Sequence, residues 1–231
     1  MKRLFGFTLA ETLIVMGIIG VVAALTLPNL NSSTGDKEKV AKVKKIYSNL
    51  NDVMGRATVV YGDYSSWGTN VTKIAGRLTD FMKLSKDCGT SGSGCFSTNV
   101  TTDTSSSFSV SNSAFYKVIL ADGTSLSIGP YYKTSMNSYI PVGQAQAAIY
   151  VDIDGPNKGA NTSAKDVFAF FISDKGEIIP YGDFYNSNTT LLTCDCFSHG
   201  AIECTSWVVM NDNMDYLKCP SKLSLTNTTC K

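Results

Sequence analysis

Histidine is almost absent from this chain: His199 is the only one among 231 residues. One imidazole, with no Gly-x-Ser-x-Gly, leaves little from which to build a hydrolytic triad. Neither a Gly-x-Gly-x-x-Gly turn nor a P-loop is present, so nucleotide chemistry has no sequence support. Charge is also sparse. Only 17% of residues are Asp, Glu, Lys or Arg and the formal net charge is +1, which gives no basis for binding nucleic acid through net charge. No catalytic constellation emerges, and the chain is expected not to be an enzyme. Charge is scarcest between Phe7 and Leu27, where Glu11 is the only ionisable side chain.

That stretch is the most informative part of the chain. A helix of its 21 residues would span roughly 32 Å, against a hydrocarbon core of about 30 Å. Lys2 and Arg3 precede it, and Lys37, Lys39, Lys42, Lys44 and Lys45 follow. The nearer, N-terminal pair favours a cytoplasmic start. A secretory signal peptide would have a shorter apolar core and a small-residue cleavage site after it. Here the small residue, Gly6, comes before the apolar run, so the helix is expected to be retained.

Glu11 is the anomaly in it. A carboxylate inside a membrane helix costs about 2.5–3.5 kcal/mol and needs a partner. The helix holds no Lys, Arg or His. A cut just ahead of Phe7 would create an α-amino group four residues away, on the same helix face. A plain anchor, with Glu11 reaching to the headgroups, is the other reading of the residues alone.

Gly6-Phe7-Thr8-Leu9-Ala10-Glu11 followed by an apolar run resembles the prepilin signal of type IV pilins and type II secretion pseudopilins. The resemblance is strong over the first 30 residues and one of general layout beyond them. It implies cleavage by a prepilin peptidase after Gly6, N-methylation of Phe7, and pairing of Glu11 with the N-terminal amine of a neighbouring subunit. Pro28 matches the family's helix-loosening proline. The implied product is a structural subunit of a type IV pilus or type II secretion-like filament. It would sit in the bacterial inner membrane as a single-pass precursor with its globular part outside the cytoplasm. It would then join other pilin or pseudopilin subunits in a pilus or a periplasmic or extracellular filament. A minor pilin-like tip protein, recognising a surface, a secreted substrate or DNA, is the alternative. Loss of the six-residue leader takes the formal charge from +1 to −1, and no nucleic-acid partner is expected of the filament subunit.

The expected organisation is a leader at 1–6, a membrane and filament-core helix at 7–27, an amphipathic continuation at 28–62 and an exported β-rich domain with a cysteine-rich tail at 63–231. Residues 28–35 are rich in helix breakers, so the helix should loosen there and restart near Asp36, whose side chain can cap it. Val40, Val43, Ile46, Tyr47, Leu50, Val53, Met54 and Ala57 then recur at helical spacing and form one stripe. The lysines around them read as a solvated face, or as a contact for anionic headgroups. The helix should end near Gly62. A helical patch is expected at 71–86, and strands at 115–120, 125–128, 147–153, 167–172 and 177–181. Asp122-Gly123 and Asp174-Lys175-Gly176 serve as hairpin turns. The fold class is therefore α+β: a long N-terminal helix, membrane-spanning in its first half, packed on a small antiparallel sheet in a pilin-like layout. Residues 206–219 read as a strand, a turn and a short helical end. Trp207, Val209, Met214 and Leu217 should dock this tail. Tyr131, Tyr132 and Tyr139 read as core, with an exposed ligand face as the other reading.

Seven cysteines, at 88, 95, 194, 196, 204, 219 and 230, all follow the membrane segment. Disulfides are the natural reading outside the cytoplasm. Cys88 and Cys95 flank a flexible Gly/Ser tip and suit a local bridge, whereas the other five allow too many pairings to choose. Cys194, Cys196, His199 and Cys204 have the composition of a zinc site, but oxidation disfavours it. Asp152, Asp154, Asn157 and Asp166 supply hard oxygens of the kind calcium takes. An Asx-rich turn held by its own backbone is the plainer reading. A structural calcium is thus the one cofactor the sequence raises.

Overall fold

A computed structural model describes residues 8–91, 94–102, 107–130, 145–182, 196, 202, 204–224 and 226–230, without the side chains of 23–34 and 145–146. The chain divides into two compact units, 1–38 and 39–231. Helix α1 spans Leu9–Tyr61. Its helical assignment is unbroken through 28–35, so the expected interruption there is corrected. A lone interior proline removes one backbone bond and need not end a helix whose neighbours keep theirs. Asp36 consequently lies inside the helix. Gly62, with φ +78°, ends it in the left-handed conformation that glycine takes without steric cost.

In the second unit, the stripe at 40–57 is buried as its spacing predicts. Val43, Ile46, Leu50, Val53, Met54 and Ala57 join one core with Val118, Leu126, Ile149, Phe168 and Phe170. The lysine face is partly engaged rather than simply solvated: Lys44 pairs with Asp212, and Lys45 reaches Asp122 at 2.8 Å. Helix α2, Val71–Thr79, starts at Asn70, whose side chain accepts the Lys73 N–H. It stops well short of the expected residue 86. The residues that follow form strand β1, Leu84–Gly89.

Strands β2 (Val100–Thr101) and β3 (Ser107–Phe108) make a small separate pair. The five expected strands are present as β4 (Tyr116–Leu120), β5 (Ser125–Pro130), β6 (Ala145–Asp152), β7 (Val167–Ser173) and β8 (Ile178–Pro180). With β1 they form a six-stranded antiparallel sheet ordered β1-β4-β5-β6-β7-β8. The chain is thus α+β, as its patterning implied.

The sheet is buried on both faces. Side chains alternate along a strand. Leu126, Ile149 and Phe170 therefore face the α1 core, whereas Ser125, Ser127, Asp152, Val167 and Ala169 face the other way. That second face is covered by Phe96, Val100, Val110 and Phe115. Phe115 lies so close to Gly129 that a Cβ there would sit 1.9 Å from its ring. Lys117 is fully buried on the same face. Its ammonium donates to the carbonyls of Thr90, Ser111 and Asn112 at 2.8–3.0 Å, while burial lowers its pKa.

The tail from 204 differs from the sequence reading. Helix α3 occupies Cys204–Asn211 where a strand was expected. Its Thr205 hydroxyl accepts the Ala169 N–H at 3.0 Å, and its Ser206 N–H donates to Tyr181 at 2.9 Å. The helix thereby satisfies backbone groups near the short β8 edge, which would otherwise be open to pairing. Trp207 and Met214 are buried, with Val209 and Leu217 packed against the same core, as expected of docking residues. Tyr131, Tyr132 and Tyr139 lie outside the described residues.

Candidate functional site

Two places in the chain gather chemistry. The first is the start of α1. Gly6 and Phe7 lie outside the described residues, as does the side chain of Pro28. From Thr8 on, the geometry is explicit. The Thr8 N–H donates to Glu11 Oε2 at 2.9 Å, and the Thr8 hydroxyl donates to the same oxygen at 2.8 Å. In return the Glu11 N–H donates to Thr8 Oγ1 at 3.3 Å. This reciprocal pairing is a capping box, in which Thr8 and the residue three positions on satisfy each other's orphan backbone donors. The motif is visible in Thr8-Leu9-Ala10-Glu11, yet both readings of Glu11 from the sequence, an amine partner or a reach to the headgroups, look outward from the helix and pass over Thr8 as its local partner.

Beyond the cap the helix exposes apolar side chains in every direction. Leu9, Leu13, Ile14, Val15, Met16, Ile18, Ile19, Val21 and Val22 are all more than half exposed. Such a surface is far larger than isolated proteins leave uncovered. Among the described residues, no helix is long and apolar enough to cross a membrane. The described side chains of this stretch end at Val22.

The second place is the connection between β6 and β7. Asp152 ends β6 fully buried. Its Oδ1 accepts the Asp154 and Gly155 N–H groups at 3.3 and 3.0 Å, the Asx turn expected there. Its Oδ2 has no hydrogen-bond partner. Asp154 lies against it, and its Oδ1 is also buried without a partner. Two ionised carboxylates have no proton to share. Burial, and then Asp154, push the Asp152 carboxyl up to about 7. Asp166 is different: the Ala160 and Thr162 N–H groups donate to its two oxygens. Burial raises its pKa, with the Thr162 N–H and Lys39 opposing. Gly159, at φ +64°, is the notch between two of these groups, since a Cβ would meet Asp166 Oδ2 at 2.5 Å and Asp154 Oδ2 at 2.8 Å. Asn157 is exposed on the loop.

Sequence spacing could not supply the neighbours of Asp152. The sheet register sets Ser125 of β5 directly opposite it and Val167 of β7 on its other side. Ser163 in turn bridges Val167. Ser125 Oγ, Asn161 Oδ1 and Ser163 Oγ are buried and unpartnered as well. Among the described residues, no three or more His, Cys, Asp or Glu side chains form a group that could hold a metal by themselves. Any cation here would depend on such neutral oxygens.

The cysteines pair as Cys88–Cys95, Cys196–Cys204 and Cys219–Cys230. The first was expected from its spacing. The second commits two sulfurs of the zinc-like cluster to each other. Cys194 and His199 lie outside the described residues.

Comparison of the chain with family models, curated proteins and solved structures finds no match in any of the three. The functional reading therefore rests on the residues themselves.

Proposed function

We propose that the chain is a structural subunit of a type IV pilus or type II secretion-like filament, cleaved after Gly6, N-methylated at Phe7 and assembled through its N-terminal helix. The observation that carries this reading is the junction Gly6-Phe7-Thr8-Leu9-Ala10-Glu11 joined to a helix whose apolar side chains lie open on all sides. Burying one such side chain is worth about 1.5–3 kcal/mol. A bilayer first, and neighbouring helices afterwards, would cover them. The three disulfides fit a globular part that matures outside the cytoplasm.

The capping box adds a mechanistic detail. A cut between Gly6 and Phe7 leaves the Thr8 amide intact, so Thr8 can go on holding Glu11 Oε2 after processing. The carboxylate is thereby held at the helix start, where a new amine would arrive. The membrane cost of the charge is reduced by the two Thr8 donors and removed by that amine.

The test separates processing from assembly. Gly6→Ile should block cleavage and leave a precursor heavier by the leader. Glu11→Ala should be cleaved and methylated normally, as read by mass spectrometry, yet yield few filaments by electron microscopy. Normal filaments from Glu11→Ala would overturn the role given to Glu11, and normal maturation of Gly6→Ile would overturn the cleavage site.

A further inference from the structure

A groove of about 350 Å³ lies between one flank of α1, the α2–β1 connection and the β4–β5 turn. Nothing in the function proposed above uses it. Its floor is the edge of the core, where Leu50, Val53 and Leu126 are buried. Half-buried Phe81 and Met82 form one wall. That wall is fixed by contacts of its own. The Arg56 guanidinium donates to the Phe81 carbonyl at 3.2 Å and lies over the Phe81 ring, 5.8 Å from its centroid. Tyr61 packs edge-on against the same ring, with centroids 6.2 Å apart. The Ala121 N–H donates to the Lys83 carbonyl at 2.8 Å, which clasps the β4–β5 turn to the α2–β1 connection. A wall held in this way has little side-chain freedom left to lose on binding.

The charges on the rim do not balance. Lys45, Arg56 and Lys83 line it against Asp52 and Asp122. Both acids are taken: Arg56 pairs with Asp52 at 2.7 Å, and Lys45 with Asp122 at 2.8 Å. Lys83 is exposed, and among the described residues its ammonium has no partner.

We propose that this groove binds a small amphipathic carboxylate. Its apolar chain would lie on Leu50, Val53 and Leu126 beside the Phe81 ring, and its carboxylate would meet the Lys83 ammonium. The volume stands at the low end of small-ligand sites, which run from about 300 to 1,000 Å³ and join an apolar lining to a few polar groups. It suits a short aliphatic chain or a single ring. One surplus cation matches one negative charge. A polyanion would also face Asp52 and Asp122, and an amine would face Lys83. The proposal does not depend on what the chain assembles into.

The experiment places the full chain in nanodiscs of zwitterionic lipid and measures hexanoate binding by equilibrium dialysis, with empty nanodiscs as the blank for partitioning. Hexanoate should bind saturably, one per chain, with a roughly millimolar Kd. Hexanol, which has the chain without the charge, should bind roughly two- to fivefold more weakly, the worth of one exposed charge pair. Hexylamine should bind more weakly still. Lys83→Gln changes only an exposed side chain; it should bring hexanoate down to the level of hexanol and leave hexanol unmoved. Ala121→Trp fills the groove from an exposed position and keeps the N–H that Lys83 accepts, so it should abolish saturable binding of both without lowering the melting temperature. No saturable hexanoate binding above the blank would overturn the proposal, as would equal affinities for hexanoate and hexanol. Self-association of the chain that Ala121→Trp blocks, without any hexanoate binding, would give the groove to a second copy instead and overturn it too.

Discussion

The Tyr216 hydroxyl donates a 2.7 Å hydrogen bond to the carbonyl of Ala164. Both residues are buried, and Ala164 holds φ +60°, a conformation that costs a non-glycine residue roughly 1–3 kcal/mol. The bond ties the tail to the β6–β7 connection and helps to hold that conformation. Tyr216→Phe keeps the ring and strands the carbonyl, so it should cost about 1–3 kcal/mol. Urea unfolding followed by tryptophan fluorescence measures this. An unchanged midpoint would mean that the tail docks through its apolar contacts alone.

Gly129 tests the covered second face of the sheet. Its Cβ would lie 1.9 Å from the Phe115 ring, so Gly129→Ala should destabilise the fold by about 1–3 kcal/mol through overpacking. Phe115→Leu should recover part of that loss when combined with it. A double-mutant cycle reads the coupling directly, and simple additivity would show that the ring is free to move aside.

The stability of the metal-free protein should fall as pH rises from about 4 to about 7. The Asp152 carboxyl is pushed up to about 7 in the fold, by burial first and then by Asp154, while in the unfolded chain it titrates near 3.9. Between those values the folded state holds the extra proton, so stability is fully present below the unfolded value and is lost as pH climbs through the folded one. Asp166, raised by burial, acts in the same sense, and Lys39 opposes it. Urea midpoints in EGTA at pH 5 and pH 8 should differ, and Asp152→Asn should flatten the difference. A midpoint that rises with pH would reverse the assignment.

Three disulfides use six of the seven cysteines. Alkylation of the denatured, unreduced chain should therefore add one adduct, mapping to Cys194, and reduction should expose seven. A peptide map with no modified Cys194 would point instead to a bridge between chains. The Cys219–Cys230 loop is short, and opening it by Cys230→Ser should cost about 2–4 kcal/mol.

The sequence made five of the strands legible because they are short runs rich in apolar, β-branched and aromatic residues, and four of them flank Asp-Gly or Lys-Gly turns. It hid β1 for a physical reason. Ser85, Lys86 and Asp87 are exposed on the sheet edge, so no apolar face announces the strand. Helix α3 was misread because Cys204, Thr205, Ser206, Trp207 and Val208 are all buried. A segment enclosed on every side shows no period, and its β-branched and aromatic residues then suggest a strand. At the carboxylate pair, Asp152 and Asp154 were readable from their spacing. Ser125 was not, because strand register alone brings a residue 27 positions away into the same row.

Lys44 and Lys45 are consecutive on α1, yet they bind different parts of the same unit: Asp212 just past α3, and Asp122 at the β4–β5 turn. Neighbouring positions on a helix point about 100° apart. As exposed ion pairs they contribute little to folding stability. Their effect is angular. The buried stripe of α1 already sets its angle on the sheet, and two contacts at different azimuths favour that same setting, so torque applied to this part of the helix would be shared between the core, the hairpin and the tail.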